Sequence, residues 1–147
     1  MSHPRIEGHC LCRAVVFEYD AEPNWTLYCH CESCRRATSS PLTAWISVPR
    51  RAFRFTKGAP RHFKSSPVVT RGFCAACGSP LTYENSRLPA EIHLYAAALA
   101  DPARVQPTRH VFVEEQLPWL EIADELPRFA TTSCGGTPPI RHGPRKG

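Results

Sequence analysis

No apolar run in the chain approaches the roughly 20 residues that a bilayer-spanning helix needs. The opening stretch, "MSHPRIEGHC", carries no apolar segment of signal-peptide type. These absences exclude a helical membrane span and make the cytoplasm the expected compartment. There is no internal repeat of solenoid type. Charge of one sign is not in large excess either: 18 Lys and Arg face 13 Asp and Glu, for a net +5. Three of the cations, Arg141, Arg145 and Lys146, lie near the C-terminal end. A near-neutral body does not require a polyanion partner, and nucleic acid is not expected as one.

Strong helix signals are also lacking. Proline is plentiful instead, 15 in 147 residues, about twice the usual share. The prolines are spread along the chain, which favours many short elements separated by turns. "AVVFEY" (14–19) alternates so that Val15, Phe17 and Tyr19 share a face. Further strand-like runs follow at 42–48, 52–58, 61–65, 68–73, 80–85, 91–99 and 110–114, with Lys57-Gly58 read as a hairpin signal. Residues 32–40 suggest a turn or two of helix, and Pro102 opens a short helical turn at 101–105. The expectation is an all-β domain of short antiparallel strands over residues 1–130, with a disordered tail over 131–147, "TTSCGGTPPIRHGPRKG".

Eight cysteines in a reducing compartment read as metal ligands or catalytic thiols rather than disulfides. Seven fall in three clusters: Cys10 and Cys12; Cys29, Cys31 and Cys34; Cys74 and Cys77. Alternate residues of an extended chain point one way, so a C-x-C pair can aim both thiolates at one ion. A C-x-x-C turn does the same, with Gly78 relieving the crowding behind it. Cys10, Cys12, Cys74 and Cys77 make a complete tetrahedral set of structural type. Cys29, Cys31 and Cys34 are one ligand short, the pattern of a catalytic zinc with an open position. Two other readings stand beside this partition. All seven are buried apolar side chains, or Cys10 and Cys12 join the trio and leave Cys74 and Cys77 as a redox pair.

Candidates for a fourth ligand to the trio are His30, His62, His93, His110 and Cys134, although His30, between two ligands, should point away from the metal. An open three-thiolate site suits capture of a substrate thiol for addition to an electrophilic carbon. Proton-transfer candidates are Glu32, Ser33 and His30. Arg35, Arg36, Arg71 and Arg109 are candidates to bind carboxylates bidentately, and Trp45, Tyr83 and Trp119 to wall a pocket. For each of these residues a solvated or core role competes with the functional one.

The motifs "GHCLCRAVVF", "YCHCESCRRATSSP", "TRGFCAACGSPLTY", "ALADP" and "PTRHVFVEEQLPWLEIADELPRF" together resemble the glutathione-dependent formaldehyde-activating enzyme family, which also contains centromere protein V. The likeness spans residues 8–129. It implies a small, zinc-stapled β-tent fold with two zincs per chain. By the same likeness Cys10, Cys12, Cys74 and Cys77 hold the structural ion and Cys29, Cys31 and Cys34 the catalytic one. The implied activity is that of a carbon–sulfur lyase of the S-(hydroxymethyl)glutathione synthase type, with glutathione as co-substrate and formaldehyde or another small electrophile as acceptor. The chain departs from the family pattern in carrying Arg13 where Gly is common, Thr38-Ser39-Ser40 in place of a glycine-containing stretch, and Ala97-Ala98 before the Leu-Ala-Asp segment. A competing class is a non-catalytic zinc module for a protein or nucleic acid; a third is a zinc-handling or metal-sensing role.

Overall fold

The computed structural model describes residues 3–132. From residue 133 onward the tail inferred at 131–147 lies outside the described residues. The expected β architecture holds. Ten strands and one short helix follow in chain order: β1 (Ile6–His9), β2 (Val16–Tyr19), β3 (Trp25–Cys29), α1 (Glu32–Thr38), β4 (Thr43–Pro49), β5 (Phe53–Lys57), β6 (Arg61–Lys64), β7 (Val69–Phe73), β8 (Pro80–Asn85), β9 (Glu91–Tyr95) and β10 (His110–Val111). No helix among the described residues is long and apolar enough to cross a membrane.

The chain forms two compact units. Among the described residues the first comprises 3–26 and 45–106, the second 27–44 and 107–132. In the first unit β2 is the centre of an antiparallel trio, flanked by β1 and β5. A second antiparallel set runs in the order β4, β9, β8, β7, β6. Its middle is driven inward by apolar runs: Ile46, Ser47 and Val48 of β4, Leu81 of β8 and Leu94 of β9 are all wholly buried. Burial on both faces explains why these strands read as continuous apolar stretches rather than alternating ones. At the far end β6, "RHFK", is exposed throughout, and its Arg61 and Lys64 discourage edge-to-edge pairing.

The β2 face carries the alternation expected of Val15, Phe17 and Tyr19, all buried. Glu18 is buried beside them at 6% exposure, its carboxylate accepting from Arg54 Nε at 2.6 Å and paired with Arg5 at 3.3 Å. One turn signal is corrected by the structure. Lys57-Gly58 does not close a hairpin, because β5 pairs with β2 while β6 pairs with β7. Gly58 (φ 61°) lies against the Ala14 carbonyl, so its conformation serves the β2 side.

In the second unit β10 lies parallel to β3, with His110 opposite Tyr28 and Val111 opposite Cys29. Helix α1 begins where Cys31 acts as N-cap, its sulfur accepting from the Cys34 N–H at 3.3 Å. It stops at Ser39, which takes the left-handed conformation (φ 55°). Arg13 (φ 63°) is left-handed too. Both fall where the sequence departs from a glycine-bearing pattern, and both put an L side chain where its Cβ is strained. Ser39→Gly and Arg13→Gly should each raise stability by about 0.5 kcal/mol, the relief of that strain less the extra chain entropy of glycine. Thermal melts check this, and a lowered midpoint in both would refute it.

Candidate metal centres

The cysteines meet in two groups. Cys10, Cys12, Cys74 and Cys77, all in the first unit, bring their four sulfurs within 4.8 Å of one another. Cys29, Cys31 and Cys34, all in the second, do the same with three. None of the seven is in a disulfide. Cys10 and Cys12 therefore keep company with Cys74 and Cys77, and the grouping with the trio is not the one adopted.

The four-sulfur group is built from two knuckles. In one, Arg13 N–H donates to the Cys10 carbonyl at 3.2 Å and Cys10 N–H to the Val15 carbonyl at 3.1 Å. In the other, Gly78 N–H donates to the Cys74 carbonyl at 2.8 Å, with Gly78 at φ 77°. Ser79 ties the two together: its Oγ accepts from Leu11 N–H at 3.0 Å and lies 3.2 Å from the Cys77 sulfur. That hydroxyl, with the Ser79 backbone, pulls the Cys77 thiol down to about 5. The Sγ separations are 3.7 Å for Cys10–Cys12 and 3.8 Å for Cys12–Cys74. Four thiolates at about 2.3 Å from a tetrahedral zinc stand about 3.8 Å apart. The donor set and its spacing fit that ion.

The trio is held differently. Cys29 ends β3, Cys31 caps α1, and Cys34 sits in the first turn of that helix. Cys29 and Cys34 are each only 5% exposed. The neighbouring Cys31 and Cys34 sulfurs, then burial, push the Cys29 thiol far above its ordinary range. Three thiols this close, two of them buried, cannot all ionise without a compensating cation, which is what a metal would supply. Among the described residues no further Cys, His, Asp or Glu joins the group.

The candidate fourth ligands are all placed elsewhere or lie outside the described residues. His62 is surface-exposed beside Glu84. His93 stacks on Tyr83 (centroids 5.1 Å, 8° between planes) and bonds Glu91 at 2.7 Å. His30, wholly buried, directs Nε2 to His110 Nδ1 at 2.8 Å, and His110 Nε2 reaches Asp124 at 2.9 Å. Cys134 lies outside the described residues. Burial, with the His110 ring next, lowers the His30 pKa to about 4.

The remaining candidates divide between the units. Glu32 and Ser33 are exposed, and Glu32 is engaged by Arg36 Nε at 2.8 Å. Arg35, half-buried next to Cys34, donates from Nε to the His30 carbonyl at 3.3 Å. The Arg109 carbonyl accepts from Tyr28 N–H. Trp119 is 67% exposed. Arg71, Trp45 and Tyr83 belong to the first unit, where Arg71 lies over Tyr83 (5.2 Å to the centroid) and Trp45 packs edge-on against the same ring. Sequence reasoning gave Asp124 no role, although it lies in the motif "PTRHVFVEEQLPWLEIADELPRF"; its partner is His110, fourteen residues earlier.

Comparison with known proteins places these groups in a family. A family model described as glutathione-dependent formaldehyde-activating enzyme matches residues 5–115. An uncharacterized lyase of Schizosaccharomyces pombe is 33% identical over 88 residues, 58% of this chain and 64% of that protein. The matched region thus spans less than two thirds of the relative's length. A crystal structure of a Rhodobacter sphaeroides protein shares the fold, with a TM-score of 0.55 at 22% identity, covering 69% of this chain and 91% of that one. With its model matched over residues 5–115, and all seven clustered cysteines lying within the motifs that first suggested it, the chain belongs to the glutathione-dependent formaldehyde-activating enzyme family.

Proposed function

We propose that this protein is a zinc-dependent carbon–sulfur lyase that joins a thiol, glutathione in this reading, to formaldehyde or another small electrophile. The observation that carries the proposal is the sulfur trio: three converging thiols with no fourth protein donor among the described residues. Family membership and the lyase name of the Schizosaccharomyces pombe relative support the reaction class. In the same reading Cys10, Cys12, Cys74 and Cys77 form a closed structural site, giving two zincs per chain. The reducing cytoplasm keeps these seven thiols unbridged, and we place the activity there.

A zinc ion at the trio would stabilise an incoming thiol in its ionised form at neutral pH. The chain's own residues do the rest. Cys29, Cys31 and Cys34 supply the three thiolate donors and leave one direction to the substrate. Burial of Cys29 and Cys34 keeps water from competing at the sulfurs. Arg35 and Arg36 follow Cys34 directly and place positive charge where the carboxylates of glutathione would approach. In the addition, the thiol sulfur forms a bond to the aldehyde carbon, the carbonyl π pair moves to oxygen, and the proton lost by the thiol ends on that oxygen. The product is a hemithioacetal; the reverse reaction cleaves the same C–S bond.

The test is spectroscopic. Cobalt put in place of zinc should give intense thiolate-to-metal bands, and glutathione should perturb the bands of one site in a saturable way. Absence of any response at millimolar glutathione would sink the glutathione assignment.

A further inference from the structure

We propose that Asp124 is a positioning residue for the cysteine trio: acting through His110, it holds the His30 imidazole in one tautomer and one orientation, and with it the Cys29–Cys31 backbone. The inference rests on the reading that the trio holds a metal. Asp124 lies beyond residue 115, where the family model's match ends, though within the motif "PTRHVFVEEQLPWLEIADELPRF".

The geometry is a three-layered ladder within the second unit. The ligand segment is bonded to β10 and its extension at alternate residues. Tyr28 N–H donates to the Arg109 carbonyl at 2.8 Å, His30 N–H to the Val111 carbonyl at 3.1 Å, and Glu32 N–H to the Glu115 carboxylate at 3.2 Å. The β10 segment is bonded in turn to the strip 127–131. His110 N–H reaches the Pro127 carbonyl, Phe129 N–H the His110 carbonyl and Phe112 N–H the Thr131 carbonyl, each at 2.9 Å. The side chains repeat this order as Asp124, His110, His30, with exposure falling from 38% to 3% for the first two side chains and His30 wholly buried. Asp124 is itself fixed, accepting from Leu126 N–H at 3.0 Å through its carboxylate and from Arg128 at 3.3 Å through its carbonyl.

The hydrogen-bond directions follow from the donor inventory. An ionised carboxylate only accepts, so His110 presents N–H at Nε2. A His110 ring with its single proton at Nε2 accepts at Nδ1, and the hydrogen between the rings then belongs to His30 Nε2. The remaining His30 Nδ1 is a lone pair, buried with no hydrogen-bond partner among the described residues. The opposite polarity would leave an orphaned N–H there, which buried sites tolerate less well. In an extended stretch His30 points opposite to Cys29 and Cys31. His30 is anchored to the β10 segment twice, by its ring at His110 and by its backbone N–H at Val111, and these two anchors together fix the backbone between the two sulfurs. Groups bonded directly to a metal ligand contribute about 10–100-fold to metal affinity; Asp124 acts through two further residues, so the low end of that range is expected.

The experiment uses the full chain with Asp124→Ala and Asp124→Asn. In Asp124→Asn the amide oxygen can still accept from His110 Nε2–H. Expected are a loss of cobalt affinity at the trio of about tenfold in Asp124→Ala, recovery of most of it in Asp124→Asn, and an unchanged four-sulfur site. Two-bond ¹H–¹⁵N couplings read the tautomers directly and need no metal: wild type should show both His30 and His110 protonated at Nε2, and Asp124→Ala should lose that uniformity. An affinity within about threefold of wild type in Asp124→Ala, or a wild-type His110 not protonated at Nε2, overturns the proposal. If wild type binds no metal at the trio, the proposed function fails. The tautomers then decide the positioning role alone: changed in Asp124→Ala they uphold it, unchanged they refute it.

Discussion

Cys74→Ser should cost the protein most or all of its folding stability. Cys74 is 1% exposed and stands at the head of the second knuckle, where its carbonyl accepts from Gly78 N–H and its own N–H donates to the Ser79 carbonyl. The four sulfurs link positions sixty-two residues apart in sequence, Cys12 to Cys74, at 3.8 Å. Structural zinc in small peptides contributes about 10–16 kcal/mol at neutral pH. A typical domain is stable by only about 5–15 kcal/mol. With the proposed structural zinc in this cluster, removing one thiolate removes an interaction as large as the whole margin. The expected observations are an insoluble or unfolded variant, loss of the cooperative thermal transition by circular dichroism, and a zinc content of one or less per chain. A strong chelator should reproduce the loss in wild type, and added zinc should reverse it. A Cys74→Ser protein that melts within a few degrees of wild type would show that the cluster does not hold the fold together.

That cluster was legible in the sequence because ligand spacing is a local property. A C-x-C pair and a C-x-x-C-G turn announce their geometry over five residues, and the partition into four and three follows from counting. The strands at 61–64, 69–73 and 80–85 were legible for a similar reason, each being a short β-rich run set off by Pro, Ser or Gly. What escaped was non-local. β1, "IEGH", is too short and too polar to signal a strand, and it forms because β2 offers it an antiparallel partner. β3, "WTLYC", was hidden by its last residue, which reads first as a ligand. The pairing of β5 with β2 rather than β6 depends on contacts from Phe53 to Tyr19 and from Phe55 to Phe17, which no turn signal at Lys57-Gly58 encodes. The Asp124–His110–His30 chain bridges eighty residues between its two histidines. His30 could be expected to face away from the metal, but nothing in "YCHCESC" says what it would face instead.

Cys31→Ser should separate chemistry from folding. Cys31 has two tasks, as a sulfur of the trio and as the N-cap of α1, where it accepts from Cys34 N–H at 3.3 Å. Serine is among the preferred N-cap residues, so its oxygen can take over the second task while the thiolate is lost. The helix keeps its other anchors, Thr38 Oγ1 to the Cys34 carbonyl at 2.8 Å and the left-handed Ser39. The four sulfurs of the first unit are untouched. A change below about 1 kcal/mol is therefore expected in stability, a shift of roughly 2–4 °C in the melting midpoint. Zinc content should fall from two per chain to one. Exchange of formaldehyde with glutathione, followed by NMR above the spontaneous rate, should fall at least about a hundredfold. That exceeds the 10–100-fold cost of losing a group that merely orients a ligand, because a donor itself is gone. Undiminished exchange in a folded Cys31→Ser protein would mean that the trio is not where the carbon–sulfur bond is made. A variant that lost its fold instead would give the trio the structural task assigned here to Cys10, Cys12, Cys74 and Cys77. The contrast between Cys31→Ser and Cys74→Ser, one silent in stability and the other silent in nothing, is thus the sharpest test of dividing seven sulfurs into four that hold and three that act.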